Sequence, residues 1–208
     1  MSVTDLADRL ALTSCIAFSE AMPFHYDGVF KTSKDETTGE VISIPPLFQM
    51  FRNKAASQQV GGLTLFSSSR NMLPLLGKES PPLEELRKLR WRTFTVANDA
   101  FGGDELILPF IATHPESKVD TFRFHEPWSA DKCIGATSEP TIVDVVGYSP
   151  DASERLCNQL TRLLYDRRVA YRHQWVEGDF IFNDNLMTHH TRTAFQNGHR
   201  ELWRIHVS

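Results

Sequence analysis

The sequence has little cysteine, no long apolar run and no surplus of basic charge. Its three cysteines, Cys15, Cys133 and Cys157, are odd in number, far apart and without a C-x-x-C pair. That pattern excludes a disulfide framework and a cysteine-built zinc site, and a reducing, cytoplasmic compartment is expected. No apolar stretch nears the ~18 residues that span a bilayer. The opening MSVTDLADRL carries acids where a secretory leader has a basic start. A net charge of -4 leaves no electrostatic footprint for a nucleic-acid or anionic-membrane partner. Internal repeats and low-complexity tracts are also lacking.

With 41% hydrophobic and 23% charged residues, the chain is neither disordered nor fibrous. Its 208 residues suit one domain, 1–208. Phenylalanine is abundant at 14 copies, so a pocket in this protein is expected to be lined by aromatic rings. Eleven prolines and eleven glycines favour many short elements. Strand-like segments are expected at 41–51, 63–66, 93–96, 106–112, 119–124, 170–176, 180–182 and 202–207. Two helices interrupt them. One opens at Pro81-Pro82 with Leu83, Leu86 and Leu89 at helical spacing. The other follows the cap Ser149-Pro150-Asp151, with Leu156, Leu160, Leu163 and Leu164 on one face. Strands outnumber helices and no βαβ alternation appears, so the class is mainly β: a barrel or jelly roll with a few covering helices.

Histidine offers the best entry to chemistry. In His25-Tyr26-Asp27, alternate residues of an extended segment point the same way. Eight histidines and 26 acidic residues make such a spacing an expected coincidence, and His199-Arg200-Glu201 repeats it. Context separates the two. Met22-Pro23-Phe24 and Gly28-Val29-Phe30 enclose the first in an apolar frame, where a desolvated polar pair needs a partner such as a cation. A second cluster runs from Gly178-Asp179 through Asn183-Asp184-Asn185 to His189-His190. One histidine from it, with His25 and Asp27, gives two imidazoles and a carboxylate on one face of a metal. That set suits non-haem Fe(II). Fourteen residues past His190 stands Arg204, whose guanidinium fork fits a carboxylate.

In order along the chain, these segments resemble the TauD/TfdA family of Fe(II)- and 2-oxoglutarate-dependent dioxygenases. His25-Tyr26-Asp27 is similar to the family's H-x-D, and Gly61-Gly62-Leu63-Thr64 to its Gly-Gly-x-Thr strand. His114-Pro115 resembles its His-Pro element, 178–190 its Gly-Asp…Asp-Asn…His segment, and Arg204 and Arg200 its distal basic positions. The resemblance implies a double-stranded β-helix core. It implies Fe(II) held by His25, Asp27 and His190, with His189 facing away. It also implies 2-oxoglutarate held by Arg204 at its distal carboxylate and by the Thr64 hydroxyl, with Arg200 as a weaker candidate. The reaction implied couples decarboxylation of 2-oxoglutarate to succinate with O2-dependent C–H oxidation of a small substrate. Halogenating relatives lack the carboxylate, so Asp27 argues for hydroxylation or desaturation. His-Tyr-Asp-Gly-Val-Phe and the polar insertion after it resemble the secondary-metabolite branch, which includes oxygenases acting on tyrosine-derived isonitrile precursors.

Only 24 residues precede His25, fewer than the family usually carries, so N-terminal strands are expected to be missing. Self-association into a homo-oligomer would then cover the exposed edge. Two other readings of the same residues stand: a zinc-dependent hydrolase using His25, Asp27 and His190, and a non-catalytic barrel kept as a binding module. Residues 122–128, rich in polar and aromatic groups, are candidates for the substrate pocket. His173 and Trp175, and the run Met72, Leu73, Leu75 and Leu76, read as core.

Overall fold

Proline and glycine cut the chain into short extended pieces, and pairing between distant pieces makes the fold. The computed structural model describes residues 10–16, 21–39, 41–56, 60–78, 80–95, 105–133, 140–196 and 200–208; of these, 10–16, 55–56, 60, 94–95, 195–196 and 200 are described as backbone only. Val96 and His199 therefore lie outside the described residues. The first strands are β1 (Leu10–Ile16), β2 (Thr32–Lys34), β3 (Val41–Ser43), β4 (Phe48–Ala56), β5 (Val60–Gly61) and β6 (Thr64–Ser68). Next come β7 (Arg90–Thr95), β8 (Leu106–Pro109), β9 (Ile111–Thr113), β10 (Asp120–Phe122) and β11 (Thr141–Val145). The last are β12 (Ala170–His173), β13 (Phe180–Asp184), β14 (Thr188–Arg192), β15 (Phe195–Gln196) and β16 (Arg200–Val207). The α-helices are α1 (Ser69–Met72), α2 (Leu83–Leu86) and α3 (Pro150–Tyr165).

Two sheets face each other. One has the order β1-β16-β4-β13, all antiparallel. The other is β12-β6-β14. It is extended on the β14 side by residues 22–25, where His25 and His190 exchange backbone hydrogen bonds of 3.0 and 2.8 Å and the Met22 N–H donates to Arg192 O. This is the mainly β jelly-roll architecture that the sequence implied. Two of its strands escape hydrophobic-pattern reading. The strand β1, from a segment without an expected strand, pairs along its whole length with β16, Leu10 opposite Val207 and Ile16 opposite Glu201. β14 reads Thr-His-His-Thr-Arg, without one aliphatic residue.

The expected strand at 41–51 divides into β3 and β4 because Pro45-Pro46 cannot continue a ladder. The helix expected from Leu83 to Leu89 ends after one turn, at Leu86, because Arg90 already opens β7. α3 begins where its cap was read: the Ser149 hydroxyl accepts from the Ala152 N–H, with Pro150 in the first turn.

Most apolar packing lies outside the barrel. Inward Thr64 and Phe66 alternate along β6 with Leu65 and Ser67, which face α3 and the sheet β11-β7-β8. There Leu65, Trp91, Phe110, Phe124, Leu160 and Leu164 are all buried in one cluster. Met72 belongs to it, with Leu73, Leu75 and Leu76 packed at its margin. Inside the barrel the apolar cluster is small: Phe51, Phe66 and Trp175, flanked by Ile181 and Leu202. The rest of the interior is polar.

Leu160 is fully buried in the larger cluster. Leu160→Ala is expected to lower unfolding free energy by about 2–5 kcal/mol, measured by urea denaturation. Cys157 is also buried, and desolvation pushes its thiol up to about 11. It should stay unreactive toward a thiol reagent at neutral pH in the folded protein and react on unfolding, whereas the half-buried Cys133 reacts without unfolding.

Candidate metal centre

Three chain segments meet at Asp27. The His25 ring is fixed by its Nδ1, 2.8 Å from Pro23 O. A carbonyl accepts only, so the proton sits on Nδ1 and the Nε2 lone pair faces the barrel interior. Asp27 Oδ1 lies 3.4 Å from His25 Nε2 and 3.9 Å from His190 Nε2. The three ligand atoms fall within 4.8 Å of one another, and among the described residues no other set of histidine, cysteine or acidic side chains gathers so. The second oxygen, Asp27 Oδ2, is held from the opposite sheet. It accepts from Arg204 NH1 at 2.7 Å, meets His206 Nε2 at 2.8 Å and accepts from Gln49 Nε2.

Electrostatics favours the metal-binding forms of these groups. Burial alone would raise the Asp27 carboxyl. The contacts with His206 and His25, and the electrostatic influence of His190 and Arg204, outweigh it and hold the group well below the ordinary carboxylate range. For His190, burial and then neighbouring His25 press the imidazole well below its ordinary value. The site therefore offers an ionised carboxylate and a neutral imidazole, the forms that ligate. Two imidazoles and one carboxylate from one side suit a divalent transition ion with open positions opposite.

The Asp-Asn pair of the sequence acts on the backbone. Asn185, fully buried, accepts from the Asp27 N–H at 2.9 Å through Oδ1, and its Nδ2 donates to Asp27 O at 3.0 Å and Pro46 O at 2.8 Å. Gly28 makes that approach possible. Its φ is +77°, and a Cβ there would lie 2.7 Å from Pro46 Cδ. Asp184 shapes the turn that presents Asn185, its Oδ1 accepting from the Leu186 and Met187 N–H groups. His114 supports Asp184 in turn. Its Nδ1 accepts from the Glu116 and Ser117 N–H groups, both at 3.1 Å, which leaves the proton on Nε2, 3.0 Å from Asp184 Oδ2.

His189 points out of the barrel, as implied. Its Nε2 accepts from the Phe124 N–H and its ring packs on Phe122 and Tyr26. Thr64 lies inside, where its hydroxyl oxygen accepts from Trp175 Nε1 at 2.7 Å and its own proton remains to donate. Trp175 packs in the barrel as core, while His173 lies 3.0 Å from Asp179 Oδ2. Arg204 does not end in solvent; it reaches the metal-ligand set itself. Arg200 opens β16, and its side chain lies outside the described residues. Residues 122–128 flank the centre. The His125 ring centroid is 5.9 Å from that of His25, and the Glu126 carboxylate accepts from the Phe24 N–H at 2.8 Å and the Tyr165 hydroxyl at 3.0 Å. Sequence reasoning missed Gln49 and His206, and it placed Asn185 in a motif without giving it a role. Polar residues at alternate positions of apolar strands were the signal available for Gln49 and His206.

The profile of the taurine catabolism dioxygenase TauD, TfdA family matches residues 22–206. The chain belongs to this family. It is 74% identical over 189 residues to isocyanide synthase A of Aspergillus fumigatus, a match covering 91% of this chain and 31% of that protein. Against the tyrosine isonitrile desaturase of Erwinia amylovora it is 28% identical over 208 residues, covering 99% of this chain and 65% of the other. The solved structure of PvcB, an Fe, alpha-ketoglutarate dependent oxygenase from an isonitrile synthetic pathway, aligns with a TM-score of 0.69 and 26% identity, over 95% of this chain and 63% of PvcB. The chain thus spans 31% of the fungal relative's length and under two-thirds of the other two. In this TauD/TfdA family member no described helix is long and apolar enough to cross a membrane.

The backbone clamp on Asp27 can be tested directly. Asn185→Ala leaves the Asp27 N–H, the Asp27 carbonyl and the Pro46 carbonyl without their side-chain partner. At about 1–3 kcal/mol per buried unpaired group, a loss of roughly 3 kcal/mol or more is expected in urea unfolding.

Proposed function

We propose that the protein is an Fe(II)- and 2-oxoglutarate-dependent oxygenase that oxidises a C–H bond of a small, amino-acid-derived substrate bearing an isonitrile. The observation that carries this reading is the convergence of His25, Asp27 and His190 beside a half-buried arginine whose buried Nε is an unused donor. Arg204 spends NH1 on Asp27, while its Nε is buried without a protein partner among the described residues. A buried, unpaired guanidinium N–H is costly, and a carboxylate ligand would satisfy it. Thr64 keeps a hydroxyl proton for the same ligand. The donor set and these two groups therefore fit the pair of Fe(II) and 2-oxoglutarate. A zinc hydrolase would use the three metal ligands but has no role for Arg204 Nε or Thr64. The isonitrile in the proposed substrate rests on the names of the relatives.

In this reading His25, Asp27 and His190 hold the ion, and Arg204 and Thr64 orient the co-substrate by its carboxylates. When bound, the iron supplies the oxidising power that couples decarboxylation to C–H oxidation. The phenylalanine rings beside His190 exclude water, with Phe51 at 5.4 Å and Phe66 at 6.2 Å between ring centroids. His125, buried and pressed to about 3 by desolvation, stands as a neutral ring beside the site.

Fe(II)-loaded protein, supplied with 2-oxoglutarate in air, is expected to form succinate and to do so faster with isonitrile derivatives of aromatic amino acids. His190→Ala should abolish succinate formation. Arg204→Met should raise the half-saturating 2-oxoglutarate concentration roughly 30–100-fold, the equivalent of about 2–3 kcal/mol for a charged hydrogen bond. Absence of succinate from the wild type, or an unchanged 2-oxoglutarate requirement in Arg204→Met, would contradict the proposal.

A further inference from the structure

The two oxygens of Asp27 are treated unequally. Oδ1 faces His25 Nε2 and His190 Nε2, whereas Oδ2 is occupied by Gln49, Arg204 and His206. Two of the three residues on Oδ2, Gln49 and His206, come from one row across the inner face of the sheet. His206 on β16 stands opposite Gln49 on β4, and Gln49 opposite Asn183 on β13. The next row along the same strands is Arg204, Phe51 and Ile181, so the interior returns to apolar packing within one repeat. Burying a polar row costs free energy that an aliphatic row would not. It is explained if the row serves the carboxylate it touches.

From this arrangement we infer that Gln49 and His206 are positioning residues that keep Asp27 a one-oxygen metal ligand. The inference rests on the metal reading above. A carboxylate can bind an ion through one oxygen or two. With two imidazoles, one-oxygen binding leaves three positions of an octahedral ion open, enough for a chelating 2-oxo acid and O2. Two-oxygen binding leaves too few. Donors on Oδ2 oppose its approach to the ion by satisfying it elsewhere.

Gln49 is set for this role from both ends. It is fully buried, and its Oε1 accepts from Asn183 Nδ2 at 3.3 Å, which fixes the amide so that its NH2 faces Asp27. His206 reaches the same oxygen from the neighbouring strand and needs only a proton on Nε2 to donate.

The test uses Co(II) as the probe, added anaerobically to the metal-free protein, with visible spectra and affinity recorded for wild type, Gln49→Leu, His206→Leu and His206→Gln. Leucine removes the donor at similar bulk, and glutamine restores an N–H near the position of Nε2. The two leucine variants are expected to show an altered Co(II) spectrum, from the released oxygen joining the ion, and a roughly 10-fold or greater change in affinity. His206→Gln should return both toward wild type. The spectrum decides: if it is unchanged in both leucine variants, the inference is overturned whatever the affinity does. If buried Gln49→Leu fails to fold, as metal-free thermal melting would show, the His206 pair carries the same comparison from a more exposed position. Wild type that takes up no Co(II), or His190→Ala that takes it up equally well, would instead overturn the metal reading and the inference with it.

Discussion

The structure depends on one buried negative charge. Asp27 sits where the extended segment after Pro23, the turn carrying Asn185 and the sheet made by β4 and β16 come together. An isolated carboxylate could not remain ionised there. Its partners explain the surrounding sequence: Arg204, His206 and Gln49 on one oxygen, His25 and His190 beside the other, and Asn185 on its backbone. Apart from His25 they lie far from Asp27 in the sequence, on β4, β14, β16 and the turn carrying Asn185, so the barrel must close before the charge is compensated. Removing any one of them leaves the rest paired against an incomplete set.

This requirement shapes how the fold is stabilised. A barrel whose interior is kept polar around Asp27 and its partners cannot also be the main hydrophobic core. The burial is therefore moved outside, behind β6, where Leu65 and the aromatic residues meet α3. Single positions serve both sides. Tyr26, between His25 and Asp27, points to the outer cluster against His189, itself the neighbour of His190. Alternation along the chain thus ties the candidate metal ligands to the apolar core that holds them.

That division also governs what could be read from the sequence. His25, Asp27, His190 and Thr64 were legible because their motifs occur in order and at strand spacing. α3 was legible because its cap and its leucine face are both local signals. β14 was not, since its inward residues serve the site and its outward His189 and Thr191 are buried without being aliphatic. Pro45-Pro46 hid a break inside an apolar run, and the second of them lends its carbonyl to Asn185. Gln49 and His206 carry no motif. Their role exists only once β4 and β16 are paired in register and brought over Asp27. Arg204 was found by its distance from His190, yet its hold on Asp27 could be seen only in three dimensions.

His25, Asp27 and His190 are proposed to form one iron site that accepts a chelating 2-oxo acid. Anaerobic addition of Fe(II) and then 2-oxoglutarate tests it most directly, through the weak visible charge-transfer absorption that such a chelate produces. A band that saturates at one iron per chain and is absent from His190→Ala is expected. No band from the wild type, or the same band from His190→Ala, would contradict it.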